Sequence, residues 1–387
     1  MKIAKAVNRL GTEAVYNIFA KTKQLAKEGK PIIDLSLGQS DFKSPKHAVD
    51  AAIKALKDGH HGYTLPNGII ECREAVSRKI KNLYRATIDP ERIVIMPGGK
   101  PTMHYAISFF GEAGAEIIYP DPGFPIYESM INFTGAKAIP YNMTDNKDFS
   151  MNPDKILSLI NEKTRLLILN NPHNPTGGFT EKNVIDILAK GLKNFPNLVI
   201  LSDEVYDRLI FDKKEIPTLL NYPDLYERLI VLNGWSKTYA MTGWRLGWGV
   251  WPEKLIEHVF KFCVNSHSCV NTPAQYGAIA ALEGPEDHLN NMMNEFNKRR
   301  KLIVEGLRSL KGVECSMPGG SFFAFPNVKK TGMDGEEFTK VCLEKAGVAM
   351  IPGTAFGKFA TDHVRFNFAT SRENISKAIE KIDKILK

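Results

Sequence analysis

The chain has 387 residues, 43% hydrophobic and 24% charged, with a net charge of +8. That composition is ordinary for a soluble globular protein long enough to bury a large core. No apolar run reaches the ~18 residues a membrane helix needs, and residues 1–10 lack an apolar core of signal-peptide length, so neither a membrane span nor export is expected.

At roughly one domain per ~150 residues, two or three domains are expected, or one large domain with an appendage. The five cysteines, Cys72, Cys263, Cys269, Cys315 and Cys342, are scattered and odd in number. They match neither metal-ligand spacing nor a disulfide framework, so a reducing cytoplasm is expected. The lysines are spread along the chain, and the clearest local cluster, Asn297-Lys-Arg-Arg-Lys301, reads as one face of a helix. Nucleic-acid binding is therefore not expected. A mild positive field would help to gather phosphate and carboxylate ligands.

Residues 2–29 read as a helical arm that stops at Gly29, with Pro31 beyond it. A short strand, 32–37, runs into Gly38-Gln-Ser-Asp-Phe42, a loop that could offer backbone to a ligand at Gly38. Residues 45–57 read as a helix with Gly59 as its stop. The breaker-rich loop His60-His-Gly-Tyr63 invites a metal reading, but no further ligands lie at useful spacing. A helix over 71–84 follows, then a strand over 92–96.

After that strand, Pro97-Gly98-Gly99-Lys100-Pro101 opens a helix with Met103, Ile107 and Phe110 on its apolar side. Pro101 suits a first helical turn. A glycine-rich turn into a helix start exposes N–H groups and the positive end of the dipole, which favour a phosphate. From here strands and helices alternate. Apolar runs at 117–119, 165–169, 198–201 and 229–232 end at Asp121-Pro-Gly-Phe124-Pro-Ile-Tyr127, Asn170-Asn-Pro-His-Asn174-Pro-Thr-Gly177, Asp203-Glu-Val-Tyr206 and Asn233. Continuous apolar runs separated by helices predict an α/β fold with a mostly parallel sheet covered on both faces. Ligands collect at the carboxyl ends of such strands.

The last of these ends is Asn233-Gly-Trp-Ser-Lys237-Thr-Tyr-Ala-Met-Thr-Gly-Trp-Arg245-Leu-Gly-Trp-Gly249. Gly234 breaks the strand and turns the chain. Lys237 sits just past it, and Arg245 opens a second short strand, 246–251. A lysine in a partly dry pocket can lose its proton and attack a carbonyl. An arginine fork suits a phosphate. An aldehyde that carries a phosphate satisfies both, and pyridoxal phosphate is such a molecule. Beyond Gly284-Pro285 the composition changes. A polar helix over 287–310, short strands near 313–315 and 321–325, a helix over 335–346 and a strand over 364–368 predict a smaller α+β domain.

The lysine stretch resembles that of the class I aminotransferases, in the aspartate aminotransferase family of fold-type I pyridoxal-phosphate enzymes. The resemblance runs from about residue 9 to about residue 380. It implies a large cofactor-binding domain over 45–285 and a small domain formed by 1–44 and 286–387. It further implies that Lys237 holds pyridoxal 5'-phosphate as a Schiff base and moves a proton at the substrate's Cα. Asp203, in Ser202-Asp203-Glu204-Val205-Tyr206, would pair with the protonated ring nitrogen. Tyr206 and Asn174 would bond the phenolate oxygen. Phe124, otherwise an ordinary core aromatic, would stack on the ring and border the substrate. Gly99, Lys100 and Arg245 would cradle the phosphate. Tyr63 would reach the phosphate in a neighbouring subunit, which makes the expected active unit a homodimer. Arg365, inside Val364-Arg-Phe-Asn-Phe368, would clamp the substrate α-carboxylate with help from Asn174 and the Gly38 backbone.

Two positions depart from the family pattern. Some members carry a serine or threonine three residues before the lysine, where this chain has Gly234. Dicarboxylate specialists use a partner-chain arginine near the segment that here reads Asn265-Ser-His-Ser-Cys269. The expectation is a ping-pong aminotransferase that exchanges an amino group between an L-amino acid and a 2-oxo acid. A C–S lyase of the same fold shares the catalytic set. A transcriptional regulator would carry a DNA-binding module before this fold, and the resemblance already starts near residue 9.

Overall fold

The computed structural model describes residues 1–11, 14–212 and 215–387. Its strands in chain order are β1 Ile33–Asp34, β2 Ile93–Met96, β3 Glu116–Asp121, β4 Lys137–Asn142, β5 Thr164–Asn170 and β6 Val199–Asp203. They continue as β7 Leu229–Gly234, β8 Gly247–Val250, β9 Phe323–Ala324, β10 Val348–Ala349, β11 Ile351–Pro352 and β12 Val364–Asn367.

Seven strands form the main sheet in the order β2-β8-β7-β6-β5-β3-β4. Only β8 runs against its neighbours. Alternate residues point to opposite faces of a strand. Ile93, Leu167 and Val231 accordingly join one buried cluster, while Val94, Ile168 and Ile230 join another. Both faces are therefore covered, which is why these strands read as continuous apolar runs. The expected α/β architecture is what the chain adopts.

A second body of structure packs the long helix Asp287–Ser309 and the helix Arg372–Leu386 against the sheet β11-β12-β9. Its core holds Phe296, Phe322, Phe366 and Ile382. From the other end of the chain, β1 pairs with β10 through Ile33↔Val348, and Leu35 joins the same core.

Several expectations need correction. The arm over 2–29 is not one helix. A 3-10 turn spans Val7–Arg9 and an α-helix spans Ala14–Lys27, while residues 12 and 13 of that reading lie outside the described residues. The strand expected over 32–37 shrinks to β1. Near Val313 there is only a bridge, Glu314↔Asn327. The basic cluster is not one exposed face, because consecutive helical residues point about 100° apart. Arg299 and Arg300 turn inward instead. Arg299 bonds Asp41 at 2.7 Å and Glu295 at 3.1 Å, and Arg300 pairs with Asp212.

Candidate active site

A cleft of about 690 Å³ opens where β3, β5, β6 and β7 end, against the sheet that carries Arg365. Gly38, Gly99, Lys100, Phe124, Asn174, Asp203, Tyr206, Lys237, Arg245 and Arg365 all line it. Ten predicted site residues thus come together from segments far apart in the chain. Tyr63 does not. It is 93% exposed and outside the cleft's lining.

Glycines shape one end of the cleft. The strand β2 ends at Met96, and Gly98 takes φ +90° before the helix Lys100–Phe110. A Cβ on Gly98 would lie 2.2 Å from the Arg245 guanidinium, so only glycine lets Arg245 close over this turn. Likewise a Cβ on Gly247 would meet the Gly98 backbone at 2.4 Å. The same crowding explains Gly234, whose Cβ would sit 2.8 Å from the Gly247 Cα. A serine or threonine there has no room. Arg245 donates to the Thr242 carbonyl at 2.7 Å, which fixes the guanidinium. Together with the first-turn N–H groups of the helix it presents donors of a kind that suits a phosphate.

The opposite end is anionic. Asp203 terminates β6 and is 6% exposed. It accepts from the Tyr127 hydroxyl at 2.6 Å and the Val205 N–H at 3.2 Å. Burial pushes its carboxyl up to about 6, against the opposing pull of Tyr127, Val205 and the Lys237 charge. A buried carboxylate of this kind suits a cationic partner. Asn170 holds its backbone from behind, donating to the Asp203 carbonyl at 3.0 Å.

Lys237 lies past β7 and donates to the Gly38 carbonyl at 2.7 Å. Its ammonium sits 5.8 Å from the Tyr206 ring centroid and 5.7 Å from that of Phe322. Tyr206 is buried, and desolvation drives its hydroxyl far above its usual range, so it remains a neutral donor. Lys100 projects from the helix start, 5.3 Å from the Phe124 ring centroid.

Arg365 is 3% exposed and held between the rings of Phe323 and Phe356, 4.4 Å and 4.7 Å from their centroids. One arm donates to Asn174 Oδ1 at 3.0 Å and the other to the Ser36 carbonyl at 2.6 Å. The Asn174 amide is thereby oriented, with its N–H₂ as the donor end. The Asn174 backbone N–H donates to Asn170 Oδ1 at 3.0 Å.

Sequence reasoning missed Tyr127, Asn170, Phe323 and Phe356. Tyr127 and Asn170 lay inside stretches already singled out at strand ends. Phe323 and Phe356 carried no local signal, because they matter only through their stacking on Arg365.

An amine, a buried carboxylate, a glycine-rich helix start beside Arg245 and a clamped guanidinium share one cleft, a combination that suits a phosphate-bearing carbonyl compound and a carboxylate. The family model for aminotransferase class I and II matches residues 30–382. The chain belongs to that family and is an aminotransferase, and the family implies pyridoxal phosphate. It is 38% identical over 359 residues to a probable aspartate aminotransferase of Methanocaldococcus jannaschii, covering 91% of this chain and 93% of that one. It is 35% identical to the aspartate aminotransferase of Pyrococcus horikoshii, covering 99% and 97%. Among solved structures, the aspartate aminotransferase of Rhizobium meliloti superposes with a TM-score of 0.95 at 29% identity, covering 100% of this chain and 99% of that one.

Proposed function

We propose that this aminotransferase uses pyridoxal 5'-phosphate to move an amino group from an L-amino acid to a 2-oxo acid. The observation that carries the reading is the convergence of Lys237, Asp203, Arg245 and Arg365 on one cleft. The residues fit the cofactor. Arg245, Gly99 and Lys100 would hold its phosphate, Asp203 its ring nitrogen, Phe124 its face, and Tyr206 and Asn174 its phenolate oxygen. When bound, the cofactor supplies an electron-withdrawing ring that makes the donor's Cα–H acidic. Asp203 keeps a negative charge against that ring. Arg365 grips the donor's α-carboxylate and turns its Cα–H towards Lys237. Lys237 then carries the proton from Cα. The phenylalanines around Arg365 keep water from its guanidinium, which strengthens the grip. Aspartate is the first donor to test, given the names of the relatives above.

Arg365→Lys tests the orientation of the substrate. Lysine keeps the charge but cannot fill the planar slot between Phe323 and Phe356 or reach two acceptors at once. The expected result is a fall in kcat/KM on the order of 10–100-fold or more for every amino donor alike, at ~1.4 kcal/mol per decade. Loss of one donor class alone would mean that Arg365 reads the side chain.

We further propose a homodimer in the reducing cytoplasm, with 45–285 as the cofactor-binding domain and 1–44 plus 286–387 as the small domain. Exposed Tyr63, Leu65, Phe262 and Val264 support a covering partner copy, and five free cysteines support a reducing compartment. Mixed dimers of Lys237→Ala and Tyr63→Phe chains should regain activity that neither homodimer has. Heterodimers that form and stay inactive would refute a shared site.

A further inference from the structure

Tyr127 takes no part in the mechanism above, yet it lines the cleft and is fully buried. It sits in the helix Ile126–Thr134, which follows β3. Its hydroxyl donates to Asp203 Oδ2 at 2.6 Å, across 76 positions of sequence. Its N–H donates to the Phe124 carbonyl at 3.0 Å, and the two rings meet edge to face at 5.8 Å and 85°. One side chain therefore touches both the carboxylate at the ring-nitrogen end and the aromatic expected to stack on the ring. The apolar cluster around it, with Ile117, Ile131 and Met130, would be filled equally well by phenylalanine. The oxygen is what packing does not explain.

We propose that Tyr127 is a positioning residue that aims the Asp203 carboxylate and keeps it ionised for the cofactor's ring nitrogen. This rests on the cofactor reading above. The groups that face Asp203 come from three elements. Tyr127 bonds it from its helix, the Val205 N–H and the neutral Tyr206 hydroxyl face it from the segment after β6, and Lys237 brings positive charge from the loop after β7. Tyr141 and Tyr206 face the Tyr127 hydroxyl, while Asn170 bonds the Asp203 main chain and leaves the carboxylate alone. Among the influences that favour the charged form, the Tyr127 hydrogen bond is the largest. The Tyr127 hydroxyl cannot itself ionise at working pH. Burial and the adjacent carboxylate push it well above its usual range, so it stays a donor.

The test uses cofactor-free protein. The stability difference between Asp203 and Asp203→Asn chains, followed by denaturant unfolding against pH, reports the titration of Asp203. In a Tyr127→Phe background its midpoint should rise by about one pH unit, the worth of one hydrogen bond to a charged group. Tyr141→Phe is the control. That hydroxyl bonds the Ile168 carbonyl at 3.2 Å, and its loss should leave the midpoint in place. In the loaded enzyme Tyr127→Phe should lower kcat more at pH 6 than at pH 9, with KM little changed. If Tyr127→Phe does not fold, 3-fluorotyrosine at position 127 serves instead. It is a stronger donor and should lower the midpoint. An unmoved midpoint, or a loss of kcat equal at all pH, overturns the proposal. A wild type that transfers no amino group would instead overturn the reading on which it rests.

Discussion

Lys237→Ala should lower transamination by at least about 10⁴-fold. Proton transfer by a positioned side chain is worth ~10²–10⁴-fold, and the covalent role of the amine adds to that. Alanine can neither join the cofactor's carbonyl nor carry the Cα proton. The rest of the cradle has anchors of its own, since Arg245 donates to the Thr242 carbonyl, the helix starts at Lys100 after Gly99, and Asp203 accepts from Tyr127. The variant should therefore still bind pyridoxal phosphate, and its visible spectrum should lack the band of lysine-linked cofactor. Steady-state rates and absorbance titration check both halves. Turnover close to wild type would remove Lys237 from the centre of the mechanism.

Asp203→Asn should have effects of opposite sign on catalysis and on the stability of the empty protein. Removing one partner of a buried charge pair costs ~3–5 kcal/mol, so kcat/KM should fall by roughly 10²–10⁴-fold. In the cofactor-free chain the sign reverses. The carboxyl titrates near 6 in the folded state, against an ordinary value of 3.8. The folded protein then holds a proton that the unfolded chain has lost. Stability drops as pH rises from about 4 to about 6 and levels off above that. The drop spans about two pH units, on the order of 3 kcal/mol. Asparagine has no charge to desolvate. Cofactor-free Asp203→Asn should thus match wild type near pH 4 and exceed it above pH 6. Glu204, which burial lifts to about 7, sits in both proteins, so the difference isolates Asp203. Equal stability at both pH values would show that the carboxylate is already compensated without cofactor.

The strands of the main sheet were legible because both of their faces are buried, which leaves near-continuous apolar runs in their middles. The edge strand β4 was not, since Lys137 is exposed and Pro140 interrupts the pattern. The helix start after Gly99 could be read from chain-breaking chemistry alone, whereas Gly234 does not break the strand as expected: it is the last residue of β7 and pairs with Gly247. The pairing of Tyr127 with Asp203, and of Phe323 and Phe356 with Arg365, could not. Those contacts join different elements of the fold, and neither partner changes the local pattern. The tight packing of Gly98, Gly234 and Gly247 explains after the fact why position 234 lacks a hydroxyl side chain. In the basic cluster, counting charges without helical rotation hid two inward arginines.

An aminotransferase passes an amino group from one carbon skeleton to another, and that transfer can be followed directly. Purified, cofactor-loaded enzyme is given an amino acid carrying ¹⁵N and an unlabelled 2-oxo acid, and the label is followed by NMR. One labelled amino acid should form from the acceptor for each donor consumed, with no free ammonium. Labelled ammonium with pyruvate, released from a cysteine conjugate in the absence of any 2-oxo acid, would contradict it.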